Sequence, residues 1–430
     1  MKLREISKSF RFAERGFEVS GLPLERIVEE TGTPVFIYDQ DTIVRQWNNL
    51  SQNLPGRVEI FYAMKANPNK AFVKLLTSLG SGVEVASEGE LYVCENVGVR
   101  GDKIVFAGPG KTRADLEAAI KYGIYSINAE SADEIHDINH VADILGKKAN
   151  VSLRINPSWE VKGAKVRMGG SSKQFGIDHE QMQIAIDALL KYPSWINPVG
   201  VHIFSASNIQ DQEGFVLNME NSFNVGAEAN KRYPVKMIDF GGGEAIRYTD
   251  NDKELDLRGI GKKAEELIER YEFIDDNQAR VIVEPGRYLV GQSGILVTSV
   301  VNIKESRGKK YVITDGGIHN LLRPALVPGA IHPIFNLSLP MSRGMMKVDV
   351  AGSLCTPIDL LGTDVMLPSK TEKKQLIGVF NAGAYGFTES MPYFLSHGIP
   401  AEVMVHDGRY TIIRDRVDAK DFLKGQRFPE

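Results

Sequence analysis

Lys65 closes a short apolar run, in the segment Tyr62-Ala63-Met64-Lys65, where water has poor access to its amine. Desolvation lowers the pKa of a lysine and favours the nucleophilic free amine. Such an amine can form a Schiff base with a carbonyl compound. The alternative is a lysine whose stem crosses apolar neighbours and leaves its charge in water.

Two other segments end apolar runs with groups suited to a charged ligand. Gly241, Gly242 and Gly243 could bring backbone amides against a phosphate, although three glycines are also compatible with a simple tight turn. Glu284, if buried, needs a protonated partner, which would be a ligand nitrogen or Arg287. Three side chains could add a hydroxyl, a guanidinium and a phenol to the same phosphate: Ser205, Arg287 and Tyr385.

Histidine and cysteine provide two further candidates. His202 follows an apolar run and could stack on an aromatic ring of a ligand, or be a hydrogen-bonded core residue. Cys355 lies in the loop-like segment Gly352–Asp359 and could be a small buried residue. It could instead be a thiol that delivers a proton to a reacting carbon, with Asp359 close to a substrate cation.

The candidates stand at the ends of eight short β-branched runs that alternate with amphipathic stretches, a pattern typical of parallel strands covered by helices. Such units predict a closed (β/α)8 barrel, in which strand ends with Lys65, Glu84 and Glu284 converge on one mouth. Ser131 and Glu134 open one helical stretch at capping-box spacing. The eight runs are Ile60–Lys65, Gly82–Ser87, Ile104–Gly108, Tyr125–Glu130, Val151–Asn156, Val199–Phe204, Met237–Gly243 and Val281–Gly286.

After Arg287 the pattern changes to strands without long helices, which predicts an antiparallel β-domain. The early run Val35–Tyr38 is expected to join its sheet. The predicted domains are a barrel over residues 40–286 and a β-domain from residues 1–39 and 287–430. The predicted strands are Ile295–Glu305, Lys310–Thr314, Lys347–Ala351, Gln375–Phe380 and Glu402–Arg414, the last with a hairpin turn at Asp407-Gly408.

Composition narrows the class of function. The 51 Lys+Arg against 55 Asp+Glu leave a formal charge of −4, so no basic field favours nucleic-acid binding. The N-terminus lacks the apolar core of a secretory signal, and no apolar run is long enough to span a membrane. With only Cys94 and Cys355, a disulfide framework is not expected. We therefore expect a soluble cytoplasmic protein that acts on small molecules.

Two motif-like segments are set aside. Gly110-Lys111-Thr112 resembles the end of a phosphate-binding P-loop, but Val105 stands where the motif requires glycine. His136 and His140 are four residues apart on a predicted helix without the carboxylate pattern of a metal site. A solvated helix face is the favoured interpretation there, and no metal is expected.

A lysine amine, an anion cradle, a carboxylate and a stacking imidazole together describe a pocket for pyridoxal 5′-phosphate (PLP). The chain resembles the fold type III PLP-dependent decarboxylases, which include diaminopimelate and ornithine decarboxylases. The resemblance extends from about Pro34 to Val405 and rests on six ordered motifs: Phe61–Asn67, His202–Ser205, Gly241–Gly243, Glu284–Arg287, Cys355–Asp359 and Gly383–Gly386.

The resemblance implies a role for each candidate. Lys65 would carry the internal aldimine, His202 would stack on the ring, Glu284 would pair with the pyridinium, and Cys355 would reprotonate the α-carbon. It also implies a homodimer with shared active sites, in which Cys355 and Asp359 serve the partner subunit's Lys65. The remaining residues expected to bind the cofactor are Glu84, Ser205, Gly241, Gly242, Gly243, Arg287 and Tyr385.

The substrate is less defined by these motifs. Asn320–Leu326 resembles the carboxylate-binding segment of diaminopimelate decarboxylases, with Arg323 as the binder, but Val327 and Thr356 replace that enzyme's tyrosine and acidic residue. Four loop segments instead resemble a branch acting on siderophore precursors or carrier-bound amino acids, or associated with exopolysaccharide loci. They are Gly108–Lys111, Met168–Gly170, Cys355–Asp359 and Phe394–His397.

Two alternatives to decarboxylation are considered. A racemase of the same fold would, by the resemblance, have arginine at the ring nitrogen, and Glu284 argues against it. A non-catalytic PLP-carrier protein would need neither the β-domain nor the Cys355 segment. Decarboxylation of a diaminopimelate-like or conjugated amino acid is the favoured function.

Overall fold

The computed structural model describes residues 6–14, 16–159, 164–167, 172–340 and 344–429. The Met168–Gly170 motif lies outside these residues. The described strands are β1 Phe10–Ala13, β2 Gly16–Val19, β3 Leu22–Pro23, β4 Val35–Asp39, β5 Val58–Ala63, β6 Gly82–Val85, β7 Ile104–Phe106, β8 Ser126–Ala129, β9 Ala149–Asn156, β10 Ala164–Arg167, β11 Ile177–Asp178, β12 Ile196–His202, β13 Ala206–Ile209, β14 Met237–Asp239, β15 Arg280–Val283, β16 Gly294–Ser306, β17 Lys309–Thr314, β18 Ile334–Asn336, β19 Met345–Ala351, β20 Leu360–Pro368, β21 Leu376–Phe380, β22 Ala401–His406 and β23 Arg409–Arg414.

Helices follow most of the early strands, as the alternating pattern predicts. Their bounds are Leu24–Thr31, Gln40–Asn53, Lys70–Ser78, Glu88–Val97, Arg113–Tyr122, Ala132–Leu145, Met182–Leu190, Gln212–Asn230, Leu257–Arg270, Phe273–Asp276, Arg287–Val290 and Arg323–Leu326. None of the helices described is long and apolar enough to cross a membrane.

The chain forms two compact units. The barrel unit contains the described residues of Gln46–Ile246 and Lys253–Leu289. The β-unit contains those of Met1–Arg45, Arg247–Asp252 and Val290–Glu430.

Eight parallel strands of the barrel unit close into a ring, which confirms the predicted fold class. The order around the ring is β5-β6-β7-β8-β9-β12-β14-β15, and β15 pairs with β5 to close it. The strands form here because their side chains are buried on both faces; one buried cluster collects a residue from each of five strands. Its members are Phe61, Val105, Val199, Met237 and Ile282.

Helix caps agree in part with the sequence pattern. Ser131 accepts a hydrogen bond from the backbone N–H of Glu134 at 3.0 Å, but the Glu134 carboxylate does not complete the capping box. It accepts instead from the backbone of Glu130 at 2.6 Å and from Lys111 at 2.7 Å. The reciprocal box forms between Thr112 and Asp115. The buried ammonium of Lys111 therefore competes with the capping box for the Glu134 carboxylate.

The β-unit is built on a mixed sheet of nine strands. Its main path is β20-β19-β17-β16-β4-β22-β23, and β21 joins β18 to β16. Most pairs are antiparallel, as predicted, but β4 with β22 and β17 with β19 are parallel. Val35–Asp39 enters this sheet between β16 and β22, and the Asp407-Gly408 turn has φ values of 50° and 66°. Strands β18 and β20 were not predicted.

Candidate active site

Lys65 lies in a single 3-10 turn, Met64–Ala66, directly after β5. Its Nζ is 3.0 Å from Oε2 of Glu84, which lies on the neighbouring strand β6. The Lys65 side chain is 33% exposed and that of Glu84 only 2%. The Lys65 nitrogen also lies 4.9 Å from the centroid of the Phe204 ring. The amine is therefore held beside Glu84 by an ion pair, and it is more exposed than the apolar run around it predicted.

Burial governs the charge of Glu84. Removal from water raises the pKa of Glu84 to about 7, even though the nearby Lys65 ammonium acts in the opposite direction. This carboxyl can gain or lose a proton near neutral pH, beside the amine of Lys65.

Glu284 has the opposite electrostatic character. Its Oε2 lies 3.2 Å from Nε2 of His202, and both side chains are 1% exposed. Burial would raise the pKa of Glu284, but His202 and then Lys65 outweigh it and lower that pKa to about 2. Glu284 is thus a carboxylate at neutral pH. It is bonded to His202, 82 residues away.

The glycine triplet makes a tight backbone cradle. A β-carbon on Gly242 would lie 2.0 Å from the carbonyl oxygen of Glu284, and Gly241 and Gly243 have φ values of +67° and +112°. The backbone N–H of Gly241 donates to Oδ1 of Asp239 at 2.9 Å. Only glycine fits this conformation and this approach, which fixes a tight backbone turn at residues 241–243.

Ser205 and Arg287 lie on the segments that follow β12 and β15. The Ser205 hydroxyl donates to Oδ1 of Asn218 at 2.5 Å, and Asn218 in turn donates to the carbonyl of Phe240 at 3.3 Å. This chain of bonds joins the Ser205 segment to the residue before the glycine triplet. Arg287 is half-buried at the start of the short helix Arg287–Val290.

The other four predicted site residues belong to the β-unit. Arg323 is buried, donates to Nε2 of His332 at 3.1 Å, and lies 4.1 Å above the Tyr248 ring. Because His332 Nδ1 lies 2.8 Å from the carbonyl oxygen of Phe380, it carries the proton and leaves Nε2 as the acceptor. The guanidinium is therefore fixed before any substrate arrives.

Asp359 fastens the Cys355 segment. Its Oδ1 accepts from the backbone N–H of Ile318 at 2.8 Å and its Oδ2 from that of Leu354 at 2.7 Å. Asp359 is buried, whereas Cys355 is exposed. The sequence did not predict this structural role, and substrate binding by Asp359 stays a prediction. Tyr385, half-buried with φ +52°, completes the set.

The segments set aside earlier have structural explanations. Lys111 is buried and donates to Gly108 O and Asn128 O, both at 2.8 Å, besides its ion pair with Glu134. It therefore holds together the ends of neighbouring strands. His136 contacts the Tyr192 hydroxyl, and both His136 and His140 are exposed on the helix Ala132–Leu145.

Sequence reasoning missed two residues with clear structural roles. Asp239 ends β14 and is fully buried, so the strand-end rule that selected Glu284 could have selected it. His332 carried no such signal, because its partnership with Arg323 depends on side-chain contact.

The barrel unit fits the three groups of PLP that need partners. Lys65 offers an amine for the aldehyde, and the glycine triplet forms a tight turn without side chains, whose backbone amides could lie against the phosphate. Glu284 Oε1 and His202 Nδ1 are buried without a hydrogen-bond partner among the described residues. An ionised carboxylate oxygen without a donor suits a protonated ring nitrogen.

Known proteins agree with this description. A family model described as "Pyridoxal-dependent decarboxylase, pyridoxal binding domain" matches residues 40–291. The L-glutamyl-[BtrI acyl-carrier protein] decarboxylase of Niallia circulans is 33% identical over 404 residues, covering 92% of this chain and 94% of that protein. The diaminopimelate decarboxylase of Aquifex aeolicus is 31% identical over 416 residues, covering 96% of both.

A solved structure shares the whole architecture. Diaminopimelate decarboxylase from M. jannaschii, in complex with L-lysine, superposes with a TM-score of 0.89 at 28% identity, covering 99% of each chain. The fold, the family match and the relatives lead to the same conclusion. The chain belongs to the pyridoxal-dependent decarboxylases, and it is an enzyme that removes carbon dioxide from an amino acid with PLP as cofactor.

Proposed function

We propose that the enzyme decarboxylates, at the α-carbon, an amino acid that is diaminopimelate-like or is conjugated to a carrier. The observation that carries this proposal is the buried guanidinium of Arg323, fixed by His332 and Tyr248. Arginine offers paired N–H donors that match a carboxylate or phosphate. Support also comes from relatives whose names specify diaminopimelate and a carrier-linked L-glutamyl group.

The proposed cofactor contacts are those that the family resemblance implies, and the pairings of Lys65 with Glu84 and of His202 with Glu284 support them. Lys65 would hold the aldehyde carbon, with Glu84 beside it, while Glu284 would hold the ring nitrogen and His202 would lie against the ring. The proposed phosphate ligands are Ser205, Gly241, Gly242, Gly243, Arg287 and Tyr385.

Each side chain then has a distinct task in the reaction. Bound PLP supplies an electron sink for the pair left at the α-carbon when carbon dioxide departs. Glu284, ionised at neutral pH, keeps a proton on the ring nitrogen and so strengthens that sink. Glu84 holds the Lys65 ammonium in place and can exchange a proton near pH 7. Cys355 returns a proton to the α-carbon.

The proposal includes a homodimer in which Cys355 and Asp359 serve the partner subunit's Lys65. Cys355 is exposed although Asp359 fastens its segment, which is consistent with a thiol directed to another subunit. Asp359 keeps lone pairs for a substrate ammonium beyond its two amide bonds. A cytoplasmic location belongs to the same proposal, since neither Cys94 nor Cys355 forms a disulfide.

A decarboxylation screen tests the substrate class. Carbon dioxide release should be measured with meso-diaminopimelate, lysine, ornithine, arginine, carboxynorspermidine-like compounds, and glutamyl or citryl conjugates, including a glutamyl carrier protein. Arg323→Gln should raise KM at least tenfold for substrates with a distal anion, because a charged hydrogen-bond pair is lost. It should leave KM for lysine nearly unchanged. The control Arg307→Gln, at an exposed turn, should leave KM nearly unchanged for every substrate. Equal losses for lysine and for the anionic substrates would contradict the role of Arg323.

The racemase alternative predicts a different product. Glu284 at a pKa of about 2 favours a protonated ring and hence decarboxylation over racemisation. Product chirality measured beside carbon dioxide release separates the two. A non-catalytic PLP carrier would show neither activity, and a Cys355→Ala protein with full turnover would remove the reason to assign that thiol a role.

A further inference from the structure

Asp239 is a buried residue that connects two parts of the cofactor site. It is the last residue of β14 and is 0% exposed. Its Oδ1 accepts from the backbone N–H of Gly241 at 2.9 Å, and its carbonyl oxygen accepts from Ile203 N at 2.8 Å. The side chain thereby fixes the start of the glycine triplet.

The carboxyl of Asp239 lies close to the other carboxylate of the site. One nitrogen or oxygen from each of His202, Asp239 and Glu284 lies within 4.8 Å of the others. Asp239 Oδ2 and Glu284 Oε1 are both buried, and neither has a donor among the described residues. Two buried carboxylates this close cannot both be ionised at low cost, so one of them should carry a proton.

The surroundings decide which carboxyl keeps the proton. Glu284 is bonded to His202 and is also stabilised by the charge of Lys65. Asp239 has neither partner; burial and the negative charge of Glu284, with a smaller effect of Glu84, raise its pKa well above the ordinary value. The backbone N–H of Gly241 is the opposing, weaker influence. The proton therefore belongs on Asp239.

We propose that Asp239 is a positioning residue that remains protonated, donates to Glu284, and so holds that carboxylate ionised and aimed at the cofactor ring nitrogen. This inference rests on the proposed role of Glu284. The same side chain holds Gly241, so one residue sets the distance between the ring-nitrogen carboxylate and the phosphate cradle. The main chain reinforces the link, because Glu284 N donates to Gly241 O at 2.8 Å.

The test exploits the difference between amide and carboxylate. Asp239→Asn keeps an acceptor for Gly241 N and, through its NH₂ group, a donor for Glu284. Asp239→Ala removes both. The purified holoenzymes should be compared by their visible cofactor absorbance from pH 6 to 9 and by the rate of cofactor loss on dilution.

We expect Asp239→Asn to keep the wild-type absorbance profile and a cofactor loss rate within about threefold, since both hydrogen bonds survive. Asp239→Ala should lose cofactor at least tenfold faster and show a pH-dependent spectrum. An Asp239→Asn protein that resembles Asp239→Ala, or that fails to fold, would show that the charge of an ionised Asp239 is required and would overturn the proposal.

Glu284→Gln, measured in parallel, separates this inference from the proposed function. If that variant retains the wild-type spectrum and cofactor loss rate, Glu284 does not act at the ring nitrogen and the proposed site is wrong. If Glu284→Gln alters the spectrum while Asp239→Ala does not, the site is supported and only the role of Asp239 is refuted.

Discussion

A β-carbon on Gly242 would lie 2.0 Å from the carbonyl oxygen of Glu284, so the proposed phosphate cradle and the residue that follows β15 are in direct backbone contact. The contact joins the segments that follow β14 and β15, which are neighbouring strands. A side chain at residue 242 must therefore displace the segment that carries the proposed ring-nitrogen carboxylate.

Gly242→Ala should lose both cofactor affinity and stability. The added methyl has no room, and overpacking of this kind costs about 1–3 kcal/mol or more. Cofactor content and urea unfolding should be measured beside Gly110→Ala, where a β-carbon meets open space. Wild-type cofactor content in Gly242→Ala would contradict the cradle as described.

Lys65→Ala should reduce turnover by about 1000-fold or more. The residues of a catalytic unit act together, so the remaining ones cannot perform the task of the lysine that is removed. Borohydride reduction of the holoenzyme followed by peptide mass spectrometry should locate the cofactor on Lys65. Lys121→Ala, at an exposed helix position, is the matched control and should keep full activity. Ordinary turnover in Lys65→Ala, or an unmodified Lys65 peptide, would refute the assignment.

Cys355→Ala should slow or misdirect protonation while cofactor remains bound, because the thiol is assigned to the α-carbon and not to the cofactor. Mixing inactive Lys65→Ala subunits with Cys355→Ala subunits should restore part of the activity if the sites are shared. Each variant mixed with itself is the control. Absence of rescue, when mixed dimers are detected by mass, would count against the shared site.

Glu244 should make stability fall as pH rises. Burial raises the pKa of Glu244 from 4.5 to about 7, so the stability associated with its protonated form is complete below pH 4.5 and is lost as pH passes 7. Such a shift corresponds to about 3 kcal/mol. The free energy of unfolding of Glu244→Gln, relative to that of the wild type, should therefore rise by about that amount from pH 5 to pH 8. Urea unfolding at both pH values measures it.

The control for Glu244 is Glu213→Gln, at an exposed position, whose difference from the wild type should not change with pH. A constant difference for Glu244→Gln would mean that its carboxyl is ionised throughout this range.

Much of the site was predictable because parallel strands deliver their carboxyl ends to one place. The positions of Lys65, Glu84 and Glu284 at three strand ends were enough to predict a shared mouth, and the family resemblance added their roles. The strand order in the sheet of the β-unit was harder to predict from the sequence. The placement of β4 between β16 and β22 joins residues more than 250 apart in sequence, and local pattern does not encode such pairing.

The sequence by itself determined which chemical groups reach the barrel mouth, because apolar periodicity sets the strands and the strand ends set the residues. Only the tertiary structure decided how those groups pair: Lys65 with Glu84, His202 with Glu284, and Arg323 with His332. It also decided their charges. Glu84 has a pKa of about 7 and Glu284 a pKa of about 2, although both are glutamates at strand ends. The two pKa values differ because the carboxyls differ in burial and in their distance to residues remote in sequence. Neither quantity is a local property of the chain.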